Sequence, residues 1–299
     1  MKIDIKEEIL TCLGPALSVV PKATLLTTVE TKDYILETLQ LDLNQLESVP
    51  AYFAYPKRAL DKPCPLVLFN HSHGGNFERG KEELINSSDY LQPTSFLQTL
   101  TTEGYSVGVI DMWGFGERRG KKESELFKEF LLQGQTLWGM RIYDNQQFLT
   151  YLLTRPEVDR KRVATMGMSM GGLMSWWLAA LDERIQVVVD LAGQAAYETL
   201  IAERQLDRHG FYYYVPGILR HLTTFDIQQL IVPRARLSLV GRHDGLCPTA
   251  GVQALAEQLT QSYQKQHAND QWACHLLTGG HQETKEMREL WKQFLRKHL

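Results

Sequence analysis

Short, unbroken apolar runs recur along this chain, and their spacing decides its fold class. Residues 66–69, 105–110, 163–166, 185–189, 235–240 and 272–277 carry apolar side chains with little polar alternation. A strand with one wet face alternates apolar and polar residues, so runs of this kind mark strands covered on both faces. Between them, residues 93–103, 141–154, 173–181, 249–266 and 283–297 place apolar residues at helical spacing. Strands alternating with helices predict an α/β fold with a mostly parallel sheet and helices on both faces. Ahead of this region, residues 34–43 and 49–55 do alternate, with 44–48 as a turn, and read as a half-exposed antiparallel hairpin. Together these segments predict an eight-stranded sheet. Residues 3–13, with Ile3, Ile5, Ile9, Leu10 and Leu13 among charges, predict a short amphipathic helix at its edge.

No repeat, low-complexity tract or linker interrupts the 299 residues, so a single domain over 1–299 is the economical reading. Its first part, about 1–56, holds the helix and hairpin. Two segments exceed a minimal alternation, residues 115–140 and 194–230, the second rich in aromatics around Phe211 to Tyr214. Both follow strand C-termini, the edge at which α/β sheets hold their ligands, and they read as small cap insertions over a site.

Composition excludes several functions. With 32 basic against 35 acidic residues the net charge is −3, which offers no polyanion-binding surface, so no nucleic-acid partner is expected. The first residues interleave charges with apolar side chains, and no apolar stretch approaches membrane-spanning length. A cytoplasmic location without membrane contact is the expectation. Cys12, Cys64, Cys247 and Cys274 are scattered without Cys-x-x-Cys spacing and read as free thiols.

The run from residue 162 to 172 carries chemistry: an apolar strand leads into Gly-Met-Ser-Met-Gly, the G-x-S-x-G elbow with Ser169 at its tip. A serine hydroxyl is a weak nucleophile and needs a base within hydrogen-bond reach, oriented by an acid. Asp244 follows the strand at 235–240, and His281 follows the next strand after Gly279 and Gly280. Asp190 and, more weakly, Asp111 also end apolar runs and stand as reserve acids. An oxyanion needs backbone donors. The glycine-rich turn at 72–75 offers the N–H of His73, with Gly74 second, and the elbow offers that of Met170. His71 and His73, with His243, Asp244 and His281, invite a metal reading, but Gly74 and Gly75 fall where further ligands would be needed, and no metal or cofactor is expected. The His71 ring is expected packed and hydrogen-bonded beneath the turn. Gly114-x-Gly116 lacks the spacing of a dinucleotide fingerprint and reads as a turn. Arg118, Arg119, Lys121 and Lys122, followed by Glu123, Glu125 and Glu129, read as a solvated helix face. Trp113, Phe115, Trp138 and Tyr212 to Tyr214 serve either a substrate pocket or the core.

On these stretches the chain resembles the α/β-hydrolase superfamily, and within it the dienelactone hydrolase and acetyl xylan esterase-like branch of serine hydrolases. The resemblance rests on the His-x-His-Gly-Gly turn at 71–75, Asp-x-x-Gly-x-Gly-Glu from Asp111, the elbow at Ser169, Ile-Val-Pro-Arg at 231–234 and Gly-Gly-His at 279–281, and it spans about 34–298. It implies a serine hydrolase that cleaves short-acyl or other small-molecule carboxylic esters through an acyl-enzyme on Ser169, with Asp244 and His281 as partners. Serine stands where dienelactone hydrolases proper carry a cysteine. A peptidase or thioesterase of the same fold, and a catalytically idle binding protein, remain as alternatives. Pairing of 194–230 with a second subunit is left open.

Overall fold

The computed structural model describes residues 4–17 and 19–299; Ile3, the first residue of the predicted N-terminal helix, lies outside them. Among the described residues one sheet holds nine strands: β1 Lys22–Glu30, β2 Tyr34–Asp42, β3 Ser48–Pro56, β4 Cys64–Asn70, β5 Ser106–Ile110, β6 Val158–Met168, β7 Val187–Leu191, β8 Ala235–Gly241 and β9 Trp272–Leu277. Their order is β1-β2-β3-β5-β4-β6-β7-β8-β9. The pairings from β1 to β3, and of β3 with β5, are antiparallel, and all pairings from β5 through β9 are parallel.

The expectation of eight strands is corrected to nine, because β1 escapes the pattern. A register shift between Leu25 and Thr27 breaks its alternation, and almost all of its residues are exposed. A bulged edge strand with little buried surface has no periodic apolar signal to read. The expected hairpin is therefore the inner part of a three-stranded antiparallel meander.

The helices are α1 Ile5–Leu13, α2 Phe96–Glu103, α3 Glu123–Leu132, α4 Leu137–Leu152, α5 Met170–Leu181, α6 Tyr197–Ala202, α7 Thr224–Gln228, α8 Thr249–Lys265 and α9 Lys285–His298. α4 begins earlier than its apolar spacing suggests, since the Thr136 hydroxyl caps it by accepting the Gly139 N–H at 3.0 Å. The central parallel strands β4, β5, β7 and β8 are buried on both faces, as is the second half of β6. Val67, Phe69, Val107, Val189 and Leu237 pack with Phe96 and Leu100 of α2 and Met287, Trp291 and Leu295 of α9. Leu66, Leu68, Ile110, Val188 and Val240 point the other way, into a cluster with Phe148 and Leu149 of α4 and Trp176, Trp177 and Leu178 of α5. Successive side chains of a strand face opposite sides, so only continuous apolar runs can serve both clusters.

The chain passes from β4 to β5 on one side and then to β6 on the other, so β4 marks the point where the order reverses. In open α/β sheets the ligand crevice lies outside the strand C-termini at that point. That edge here carries the turn after β4 and Ser169 after β6. Among the described residues no helix is long and apolar enough to cross a membrane.

Candidate active site

Ser169 occupies a backbone conformation that L-residues avoid, with φ +59 and ψ −119. Such a residue costs on the order of 1–3 kcal/mol and persists only where its surroundings fix it. The surroundings here are the end of β4. A Cβ on Gly167 would lie 2.3 Å from the Asn70 carbonyl oxygen, and one on Gly171 2.0 Å from the same atom. Only glycine at both positions lets the elbow press against β4. The Asn70 amide then locks the contact by donating to Thr165 Oγ1 and to Ser175 Oγ, each at 2.9 Å. Ser169 N–H donates to Leu191 O at 2.8 Å, which ties the elbow to β7 as well.

The structure brings the predicted base and acid to Ser169. His281 Nε2 is 2.7 Å from Ser169 Oγ, and His281 Nδ1 is 2.8 Å from Asp244 Oδ2. An ionised carboxylate only accepts, so Nδ1 carries the proton and Nε2 is free to accept from the serine hydroxyl. The other Asp244 oxygen accepts the N–H groups of Leu246 at 2.8 Å and Cys247 at 3.3 Å. Both carboxylate oxygens are thus directed, one by its own loop and one by His281. The Asp244 side chain is fully buried while a quarter of the His281 side chain is exposed, so the base faces the open side.

The reserve acids are engaged elsewhere. Asp190, fully buried, accepts from Arg236 Nε at 3.0 Å and Ser238 Oγ at 2.7 Å. Burial raises its pKa, with Arg236 and Ser238 acting against that. Asp111 accepts the Lys81 N–H at 2.6 Å, the Lys81 ammonium at 3.0 Å and the Glu117 N–H at 3.1 Å. It fastens the loops after β4 and β5 and does not face His281.

In the turn after β4, two backbone donors are already engaged. Ser72 N–H donates to Glu83 Oε1 at 2.8 Å, and Gly75 N–H to His73 Nδ1 at 3.2 Å. The N–H groups of His73 and Gly74 have no hydrogen-bond partner among the described residues. These are the two donors singled out from the sequence. Met170 supplies the first N–H of α5, which no carbonyl of its own helix can satisfy.

Three buried titratable groups hold this turn. The His71 ring lies beneath it, with Nδ1 2.9 Å from Ser72 O and Nε2 accepting the Met112 N–H at 3.1 Å. Burial lowers its pKa to about 4, so it stays neutral. Glu83 is fully buried; its second oxygen accepts from the Ser72 hydroxyl and, at 2.7 Å, from Tyr90 OH. Burial raises its pKa, and those hydrogen bonds oppose the rise. Glu123, at the start of α3, places Oε2 3.2 Å from His73 Nε2 and 3.3 Å from Arg141 Nη2. Burial works against its ionisation, but His73 and Arg141 outweigh it and hold the carboxyl below its ordinary range. The His73 contact lacks hydrogen-bond angles and is electrostatic. Glu83 and Arg141 were not singled out from the sequence, and Glu123, expected on a solvated helix face, is instead buried.

Both insertions reach the site. From 194–230, Arg208 Nη1 donates to Gly245 O at 3.0 Å, and His209 Nε2 lies 2.9 Å from Leu246 O, so this segment grips the loop carrying Asp244. Tyr212 stacks on the His73 ring with centroids 5.5 Å apart, and Phe115 meets it edge-on at 5.2 Å. Trp113, Phe115, Trp138, Tyr212 and Tyr213 are buried, which assigns them to packing behind the turn. Arg118 departs from the expected solvated face: it is buried against Asp144 at 2.7 Å and Asp111 O at 2.8 Å. Gly114 and Gly116 both have positive φ and form a turn, as expected. His71 and His73 point to different partners, and no set of three or more His, Cys, Asp or Glu side chains among the described residues is arranged to hold a metal ion.

Known proteins agree with this architecture. A model of the Dienelactone hydrolase family matches residues 90–212. YtaP of Bacillus subtilis (strain 168), named as a hydrolase, is 52% identical over 270 residues, covering 90% of each chain. Among solved structures, a Bacteroides fragilis NCTC 9343 protein assigned as an acetyl xylan esterase superposes with a TM-score of 0.70 at 16% identity, over 91% of this chain and 73% of the other. A glucuronoyl esterase from Solibacter usitatus gives 0.68 at 15% identity, over 98% and 91%. At such low identity these likenesses establish the α/β-hydrolase fold. YtaP, identical at more than half of the aligned positions, establishes more: the chain is a hydrolase and belongs to the dienelactone hydrolase family.

Proposed function

We propose that this protein hydrolyses carboxylic esters of short acyl groups or other small molecules through an acyl-enzyme on Ser169. The observation that carries the reading is the hydrogen-bond chain from Ser169 Oγ through His281 to Asp244, at 2.7 and 2.8 Å, on a strained elbow. His281 Nε2 takes the serine proton as Oγ attacks the ester carbonyl, and Asp244 stabilises the imidazolium that forms. The tetrahedral oxyanion accepts from Met170 N–H and from His73 N–H or Gly74 N–H. As the C–O bond of the alcohol breaks, His281 returns its proton to the departing oxygen. Water then attacks the acyl-enzyme with His281 again as base, releasing the acid and Ser169.

Esters are favoured over peptides by two things. Several solved relatives are named as esterases, and the insertions, which pack on the loop carrying Asp244 and on the His73 ring, leave no separate peptide-selecting domain among the described residues. The test is hydrolysis of p-nitrophenyl acetate together with labelling by a fluorophosphonate. Ser169→Ala is expected to lower kcat by about 10⁴ to 10⁶ and abolish labelling. Activity retained by that variant would overturn the reading, and a wild-type protein that neither labels nor turns over would make it a binding protein.

A further inference from the structure

The two proposed oxyanion donors sit on different elements, His73 or Gly74 after β4 and Met170 at the start of α5. A single buried ion pair touches the side chains of His73 and Met170. Arg141 of α4 is wholly buried, and its guanidinium is fixed by donating to Trp113 O at 2.6 Å from Nη2 and 3.2 Å from Nε. Nη1 reaches Met170 Sδ at 3.3 Å, and Nη2 lies 3.3 Å from Glu123 Oε2. The same Glu123 oxygen faces His73 Nε2 at 3.2 Å. His73 in turn closes its own turn, since its Nδ1 accepts the Gly75 N–H. Rotating that ring would release Gly75 and with it the direction of the His73 and Gly74 N–H groups.

We infer that Glu123 and Arg141 are positioning residues for oxyanion stabilisation, one buried pair that sets the distance between the donor on the β4 turn and the donor on α5. The inference rests on the proposed acyl-enzyme mechanism at Ser169. Oxyanion donors act only if they are aimed at the position the charged oxygen will occupy, so a small displacement costs rate without costing ground-state binding. The ring contacts limit the alternatives. The guanidinium lies 5.1 Å from the Phe115 ring and 5.2 Å from that of Tyr212, and both rings also pack on His73. Arg141 and His73 are therefore held in one aromatic frame with Glu123 between them. Glu123 comes from the segment 115–140, which gives that insertion a role in the chemical step.

The experiment compares wild type, Glu123→Gln, Arg141→Lys and Ser169→Ala on p-nitrophenyl acetate. It is read alongside inhibition by a trifluoromethyl ketone, which forms a charged tetrahedral adduct on a serine. Active-site titration with fluorophosphonate normalises each rate to folded, competent protein. Glu123→Gln is expected to lower kcat about 10- to 100-fold with KM changed less than about twofold, and to weaken the ketone in parallel with kcat/KM. Arg141→Lys keeps a cation but cannot reach Trp113 O, Met170 Sδ and Glu123 together, and should fall in the same direction. The pH midpoint of kcat/KM should stay at its wild-type value, because Asp244 and His281 are untouched. A normal kcat per titrated site with unchanged ketone affinity, or a shifted pH midpoint, overturns the inference. If Ser169→Ala remains active, the mechanism itself is wrong; if it is dead while Glu123→Gln behaves as wild type, only the positioning role fails.

Discussion

The two sides of Ser169 are built on opposite principles. On one side Asp244 and His281 form a chain with Ser169 whose middle member is a quarter exposed and, in the proposed mechanism, changes charge. On the other, the turn at 72–75 is surrounded by buried groups whose charge is fixed: His71 held neutral by burial, Glu123 held ionised by His73 and Arg141 against its burial, and Glu83 sealed beneath Ser72. In the proposed mechanism the first side moves a proton, and the second prevents movement while the first does so. A site of this kind needs exposure and a titratable ring where the proton travels, and buried, fully bonded groups where geometry must not change.

The comparison breaks most visibly at Asp244. Asp244→Asn keeps the shape but leaves His281 Nδ1 facing an amide that can turn its N–H₂ toward it, which favours the wrong tautomer. A fall of about 10⁴ in kcat is expected, on the scale seen when a triad aspartate becomes asparagine. Steady-state ester hydrolysis measures it, and a loss below tenfold would move the acid elsewhere. Asp190 sharpens the point, being an aspartate on the adjacent strand, buried just as deeply. Asp190→Asn is expected to leave kcat within about twofold but to cost about 3–5 kcal/mol of stability, because it leaves Arg236 buried without its counter-charge. Urea unfolding separates that outcome from a catalytic one.

Much of the first side was legible in the sequence and little of the second. Ser169, Asp244 and His281 each follow an apolar strand in a short loop, so the parallel sheet alone delivers them to one edge. The donors on the turn could be narrowed to His73 and Gly74 for the same reason. Glu83, Glu123 and Arg141 are placed by burial across long sequence separations. In the linear chain they sit in Lys-Glu-Glu, in Lys-Lys-Glu-Ser-Glu and on a helix of mixed polarity, where each charge reads as solvated. The fold divides in the same way. Strands buried on both faces announced themselves, whereas β1, bulged and exposed, did not.

His71 tests the claim that charge is fixed on the oxyanion side. Its pKa is held near 4 by burial against an ordinary value of 6.5. Between those values the unfolded chain binds a proton that the folded protein does not, so this contribution is present above pH 6.5 and is lost as pH falls toward 4. From pH 7 to pH 5 the loss should be about 2 kcal/mol, at 1.36 kcal/mol per unit. Urea unfolding at the two pH values should show it in wild type. His71→Asn, less stable at pH 7, should have a correspondingly shallower slope, and equal slopes would mean that the ring is not held neutral.

The smallest effect is expected at Glu83, and its size says how the turn is held. Glutamine at this position keeps one oxygen for the Ser72 N–H. Its amide group replaces the second oxygen with a donor, and the Ser72 and Tyr90 hydroxyls can reverse and accept from it. The carbonyl of Tyr90 also accepts the Glu283 N–H at 2.7 Å, two residues beyond His281. This loop therefore couples the fixed side of the site to the moving one. Glu83→Gln should lower kcat by about tenfold or less, equal to at most about 1.4 kcal/mol of transition-state stabilisation, with the pH midpoint unchanged. Glu83→Ala, which leaves the Ser72 N–H and two hydroxyls unpaired, should fall well below it. If the two variants are equal, the hydrogen bonds to Glu83 do not hold the turn, and the fixed side of the site depends on His71, Glu123 and Arg141.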